Sequence, residues 1–123
     1  MSPEKLIQEA FSAQKRAKAI YSNYQVGAAL LTNENQLILG CNIESKAYPT
    51  TLCAERVAIF SALAQGYENF KAIALVTPDG AFPCGSCRQI MYEYAYDIPI
   101  YISKNKNDYV TYTISELLPH PFA

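Results

Sequence analysis

The sequence predicts an α/β domain in which a mixed β-sheet is covered by helices on both faces. Apolar stripes at helical spacing alternate along the chain with short runs rich in β-branched and aromatic residues, in the order α-β-β-α-β-α-β-β-α. Its 123 residues suit one hydrophobic core, and no linker, internal repeat or low-complexity segment divides them, so 1–123 is expected to be a single domain. Half of the residues are hydrophobic and 17% are charged, the balance of a globular chain rather than a disordered one.

Residues 3–20 are the first expected helix. Ser2 suits the N-cap, Pro3 the first helical position and Glu4 the positive end of the dipole. Leu6, Ala10, Ala13, Ala17 and Ile20 recur in steps of four and three, and Ile7 and Phe11 widen the stripe. Lys15, Arg16 and Lys18 fall near the C-terminal end, on a solvated face. QVGAALLT (25–32) and QLILGCNIE (36–44) are expected strands joined by a polar turn around Asn33 to Asn35. A second helix is expected from about Thr51 to Leu63, with Thr50 or Thr51 as cap and Gly66 as stop. KAIALVTP (71–78) has the character of a short buried strand, and PDGAFPCGSC (78–87) that of a turn-rich loop opening a third helix, RQIMYEYAY (88–96). IPIYIS (98–103) and YVTYTI (109–114) complete the strands, and SELLP (115–119) forms a last half-helix.

Charge narrows the partners. With a net charge of −1, a pI near 5.8 and no basic stripe, the chain is poorly suited to a phosphate backbone, so small ligands are favoured over nucleic acid. No apolar run approaches the length of a membrane span, and MSPEKLIQEAF lacks the apolar region of a signal peptide; no membrane association and a cytoplasmic location are expected. Thiols stay reduced there, which makes the four cysteines ligands or core residues rather than disulfides. His120, the only histidine, lies between two prolines, so a metal site would be built mainly from sulfur or carboxylate.

The stretch TTLCAERVAIF (50–60) sets Cys53, Glu55 and Arg56 into an otherwise apolar helix, where charges are rare unless paired or bound to metal. Cys84-Gly-Ser-Cys87 follows Cys53 after thirty intervening residues. In the expected fold both cysteine segments open helices along one sheet edge, where α/β folds place ligand sites. Three thiolates on a tetrahedral zinc leave one open position, the pattern of a catalytic site. Two alternatives stand beside it: a CxxC redox motif, which gives no reason for Cys53 and Glu55, and a closed structural zinc, for which Cys41 is the only spare thiol and sits in a strand as ordinary core.

CAER followed by PCGSCRQ resembles the cytidine deaminase family of zinc-dependent nucleoside deaminases, whose signature sets a metal ligand two residues before Glu and follows it with P-C-x-x-C. YSNYQVGAALL from residue 21, CNIE (41–44), AYP (47–49) and the closing ELLPHPF resemble the small, three-cysteine, single-domain members over nearly the whole chain. The resemblance implies a three-layer α/β/α sandwich with a five-stranded mixed sheet. It implies one Zn2+ per chain, held by Cys53, Cys84 and Cys87, which acidifies a water. Glu55 would be the general acid–base, passing that water's proton to pyrimidine N3 and then carrying a second proton to the leaving amine. Arg56 would donate to the thiolate sulfurs and withdraw charge that otherwise blunts the metal, with the helix N-termini acting in the same direction.

The family also implies substrate contacts: Asn42 and Glu44 to the ribose hydroxyls, Tyr24 near sugar and base in place of the usual phenylalanine, and the Ala54 backbone to the pyrimidine amide edge. It further implies a homotetramer with shared active sites, in which Tyr48 and Phe122 act across subunits; ten tyrosines suit such interfaces. Lys46, where a small or amide residue is common, and Tyr24 bear on specificity. The activity implied is deamination of cytidine and 2′-deoxycytidine in pyrimidine salvage. Its rivals are a deaminase of a modified nucleoside such as blasticidin S, a non-catalytic zinc or CxxC redox module, and a polynucleotide deaminase, which the charge and short loops disfavour.

Overall fold

Gly27–Thr32 (β1) is buried at every position, as a strand must be when both faces of its sheet are covered. The computed structural model, which describes residues 1–123, places it near the centre of a five-stranded sheet of order β2-β1-β3-β4-β5. The other strands are β2 (Leu37–Cys41), β3 (Phe70–Val76), β4 (Ile100–Ser103) and β5 (Tyr109–Tyr112). Only β3 and β4 pair in parallel, across the connection that carries the third helix, so the sheet is mixed as expected.

The two faces take alternate residues of the same strands. Ala29 and Leu31 of β1, with Ala72, Ala74 and Val76 of β3, pack against Leu6, Ile7 and Ala10 of α1 (Pro3–Gln14). Ala28 and Leu30, with Ile73 and Leu75, meet α2 (Ala54–Ala64), α3 (Gly85–Tyr94) and α4 (Ile114–Leu117) on the other face. This is the three-layer α/β/α sandwich. The helix layer that carries the cysteines lies unusually close to the sheet at one point: a Cβ on Gly40 of β2 would stand 2.3 Å from the Ala54 carbonyl oxygen and 2.7 Å from the Ala58 nitrogen.

Helix ends differ from the expected ones, and tertiary contacts explain why. α1 stops at Gln14 rather than Ile20. Beyond it Lys18 joins the segment after β2, donating its N–H to the Asn42 carbonyl at 2.9 Å and accepting from Glu44 N at 3.0 Å, bonds a continuing helix would forfeit. Ile20, assigned to the apolar stripe, is 75% exposed. α2 begins at Ala54 with Cys53 as N-cap, rather than at Thr51, because Leu52 and Ile43 exchange two backbone hydrogen bonds of 3.0 Å. Its end is as expected: Gly66 at φ 95° follows the cap, with Gly66 N donating to Leu63 O and Tyr67 N to Ala62 O at 3.0 Å. α3 starts at Gly85, three residues before the expected Arg88, and so takes Cys87 into its first turn. The strands are shorter than their apolar runs, and Ile114, expected in the last one, opens α4 behind a Thr113–Glu116 capping box.

Candidate active site

Sheet register brings the functional segments together. Gly27 pairs with both Cys41 and Val76, and Val76 pairs with Ser103, so the start of β1 shares one edge with the ends of β2, β3 and β4. The chain leaving β2 carries Asn42 to Glu44 and reaches α2; the chain leaving β3 reaches α3. Both helices therefore point their N-termini at this edge, where the fold class puts ligands.

The cysteines meet there. Cys53 and Cys84 are the N-caps of α2 and α3, and Cys87 lies in the first turn of α3. The sulfurs of Cys53 and Cys84 are 3.7 Å apart, and all three lie within 4.8 Å of one another. Ligands at the usual zinc–sulfur distance in a tetrahedron stand about 3.8 Å apart. The triad therefore fits one zinc ion. No fourth cysteine or histidine joins it, since Cys41 lies at the end of β2 and His120 near the C-terminus. Hydrogen bonding from Cys87, Arg56 and Cys84 pulls the Cys53 thiol well below its ordinary range, while the same Cys87–Cys53 bond and burial push Cys87 up. A negative sulfur hydrogen-bonded by its neighbours is the state in which a dication can replace thiol protons.

Glu55 and Arg56 diverge from this triad. Glu55 is 3% exposed, and its carboxyl faces the pocket beside Cys53. Burial pushes that carboxyl up to about 7, with the charge on Cys53 acting in the same direction. Arg56 donates through Nη2 to the Cys53 sulfur at 3.4 Å. It is the cation expected beside the thiolates.

A cavity of about 350 Å³ opens over Cys53, Glu55 and Cys84 and is walled by Tyr24, Asn42, Glu44, Leu52, Thr77 and Phe82, among others. No lysine or arginine lines it. Asn42 is held by backbone: its Oδ1 accepts from Val26 N at 2.9 Å and its Nδ2 donates to Tyr24 O at 2.8 Å. Glu44 is held as firmly. Its Oε1 accepts from Tyr21 N at 2.9 Å and Ser22 N at 3.0 Å, and its Oε2 from the Ser22 hydroxyl. Asn42 and Glu44 thus line one cavity; Ser22, which aims Glu44, carried no spacing signal. The Tyr24 hydroxyl is not free toward the pocket. It donates to Asp79 Oδ1 at 2.5 Å.

Ala54, Tyr48 and Phe122 do not line this cavity; the first is expected to offer only its backbone and the other two to act across subunits. Ala54 is fully buried, its side chain in the core, leaving only backbone to offer. Tyr48 is 74% exposed and packs edge-on against Tyr21, ring centroids 6.4 Å apart, outside this cavity. Phe122 is 88% exposed and also outside it. Its backbone is nonetheless pinned: Gln89 Nε2 donates to Phe122 O at 2.8 Å and Gln89 Oε1 accepts from Phe122 N at 3.1 Å. Lys46 is exposed and does not line this cavity.

The chain is similar to known deaminases. Residues 1–102 match the family described as the cytidine and deoxycytidylate deaminase zinc-binding region. A cytidine deaminase of Sporosarcina psychrophila is 43% identical over the whole of this chain and 93% of its own length. That of Halalkalibacterium halodurans is 43% identical over 99% of this chain and 95% of its own. The crystal structure of the Burkholderia pseudomallei cytidine deaminase superposes with a TM-score of 0.95 at 41% identity, covering 99% of this chain and all of that one. A blasticidin-S deaminase of Bacillus cereus is more distant, at 33% identity over 80% of this chain and 76% of its own. With the zinc-fitting sulfur triad at the head of two helices and the same three-layer sandwich, the chain belongs to the cytidine and deoxycytidylate deaminase family of zinc enzymes.

Proposed function

We propose that this protein hydrolyses the amino group of cytidine and 2′-deoxycytidine, giving uridine or 2′-deoxyuridine and ammonia. The observation that carries the reading is Glu55, a buried carboxyl facing the same cavity as the sulfur triad. A structural zinc knot or a CxxC redox site has no use for it. When bound by Cys53, Cys84 and Cys87, zinc supplies the Lewis acidity that makes water a nucleophile near neutral pH. Glu55 would take that water's proton and hand it to pyrimidine N3 as C4 is attacked, then take the proton of the new C4 hydroxyl and give it to the departing amine as the C4 carbonyl forms and ammonia leaves. A carboxyl raised to about 7 suits both directions of transfer at neutral pH. Arg56 offsets the negative charge of three thiolates by donating to Cys53.

Substrate binding falls to the opposite wall. Asn42 and Glu44, fixed by the 21–26 backbone, meet the ribose hydroxyls; Tyr24 flanks sugar and base; the Ala54 backbone meets the pyrimidine amide edge. A lining with Glu44 and Glu55 but no lysine or arginine repels a 5′-phosphate, which favours the nucleoside over the nucleotide. The exposed rings of Tyr48 and Phe122 support a homotetramer in which neighbouring copies complete one another's sites. Residues 1–123 act in this reading as one catalytic domain, in pyrimidine salvage and in the reducing cytoplasm that leaves these thiols free.

The test is a panel of cytosine, cytidine, deoxycytidine, deoxycytidine 5′-monophosphate and blasticidin S, followed by ultraviolet absorbance and ammonia release. Turnover of the two nucleosides is expected. Activity on the free base alone would remove the ribose assignments, preference for blasticidin S would favour the modified-nucleoside reading, and activity on none would leave a binding module.

A further inference from the structure

The Tyr24 phenol donates to Asp79 Oδ1 at 2.5 Å across 55 residues of sequence. The two residues belong to different segments of the chain. Tyr24 belongs to the segment that holds Asn42 through its carbonyl and precedes β1. Asp79 lies in the loop between β3 and α3, five residues before Cys84. That loop is itself organised on the same carboxylate: Asp79 Oδ1 accepts from Ala81 N at 3.2 Å and from the Thr77 hydroxyl at 3.3 Å, and Thr77 Oγ1 accepts from Ala81 N at 2.9 Å. Tyr24, Thr77, Ala81 and Phe82 all line the cavity over Glu55.

We propose that Asp79 is a positioning residue for substrate binding: by accepting the Tyr24 hydroxyl it fixes that ring as a wall of the pocket and ties the ribose-facing segment to the loop leading into Cys84. The proposal rests on the deaminase reading above and on Tyr24 flanking the substrate. A phenol whose oxygen is bonded outside the pocket turns only its ring inward, so Tyr24 contributes shape rather than a hydroxyl contact. Burial and the Asp79 carboxylate both hold the phenol protonated, and the phenol in turn keeps Asp79 ionised, so the bond persists at neutral pH. Asp79 does not line the cavity and touches no substrate; it acts through Tyr24. A ring that is already placed when the nucleoside arrives lowers the ordering cost of binding, and that gain is common to ground and transition states.

The experiment is a double-mutant cycle on the zinc-loaded enzyme, reading KM and kcat for cytidine with zinc content measured for each variant. Asp79→Ala and Tyr24→Phe are each expected to raise KM about tenfold with kcat within about twofold of the parent. The double variant is expected to bind no worse than the weaker single, because both remove one bond. Asp79→Asn, which keeps a neutral acceptor, is expected to recover part of the loss and serves as the cycle partner if the alanine variant folds poorly. Additive effects, an unchanged KM in the single variants, or zinc lost on changing Asp79 would overturn the proposal. An inactive parent would instead overturn the deaminase reading, so the two failures are distinct.

Discussion

The Arg56 guanidinium lies one helical turn beyond Cys53 and donates to its sulfur at 3.4 Å, while its Nε is buried with no oxygen or nitrogen partner. A cation in that position has the thiolates as its acceptors, and Cys87 as well as Cys53 raises its basicity. Three thiolates on a dication leave a net negative centre, which weakens the polarisation of a bound water. The guanidinium takes back part of that charge without occupying a coordination position. Arg56→Gln is expected to retain zinc and lose about 10–100-fold in kcat, measured by cytidine turnover against metal content. Full activity in that variant would reduce Arg56 to packing.

Glu55→Gln separates chemistry from architecture. The amide is close to isosteric, keeps hydrogen-bonding capacity and cannot carry the proton, so zinc content is expected to stay at one per chain while kcat falls by about 10²–10⁴-fold. Replacing a buried carboxyl by a neutral group also removes a desolvation cost. The variant's Tm is therefore expected to equal or exceed that of the parent, read by thermal melts of zinc-loaded samples. A destabilised and inactive variant would assign Glu55 to the fold instead.

The metal triad was legible because its chemistry is local: two cysteines three apart at a helix start and a third beside Glu55 need only the helices to meet. The sheet was legible for a similar reason, since five apolar runs of strand length admit few arrangements. Helix ends were not. Ala17 and Ile20 continue the periodicity of α1, yet Lys18 finds better partners in Asn42 and Glu44 than helical ones, a competition that periodicity does not register. The Tyr24–Asp79 bond was hidden for the same reason. It joins residues with no fixed spacing, and one of them sits in a loop that offers only turn formers.

Gly40 sets the height of α2 over the sheet. A Cβ there would lie 2.3 Å from Ala54 O, 2.7 Å from Ala58 N and 3.0 Å from Ala58 Cβ, all on the inner face of α2. Backbone atoms do not yield as a flexible side chain does, so Gly40→Ala must push the first turn of α2 away from β2. That turn carries Cys53 and Glu55. A loss of about 1–3 kcal/mol in denaturant unfolding is expected, together with weakened zinc retention. Gly85→Ala is the stability control, because a Cβ there meets nothing within 4 Å; a change within about 0.5 kcal/mol is expected. Equal stability in the two variants would show that α2 can shift freely on the sheet.

Glu44 makes its wall of the cavity sensitive to acid. The Ser22 hydroxyl, then the Ser22 and Tyr21 amides, hold its carboxyl below the ordinary value of 4.5. Because the folded value is the lower one, the stabilisation is present at pH values above 4.5 and is lost as pH falls through the folded value. Protonation then takes the charge from an acceptor serving both amides, and the 21–22 turn is released while the sheet beneath it stays paired. In amide hydrogen exchange, corrected for intrinsic rates, Tyr21 and Ser22 are expected to lose protection on acidification below that range, with β1 unaffected. Glu44→Gln, which has no charge to lose, is expected to show weak protection at Tyr21 and Ser22 with no such acid step. An acid transition of the same size in that variant would place its origin outside Glu44.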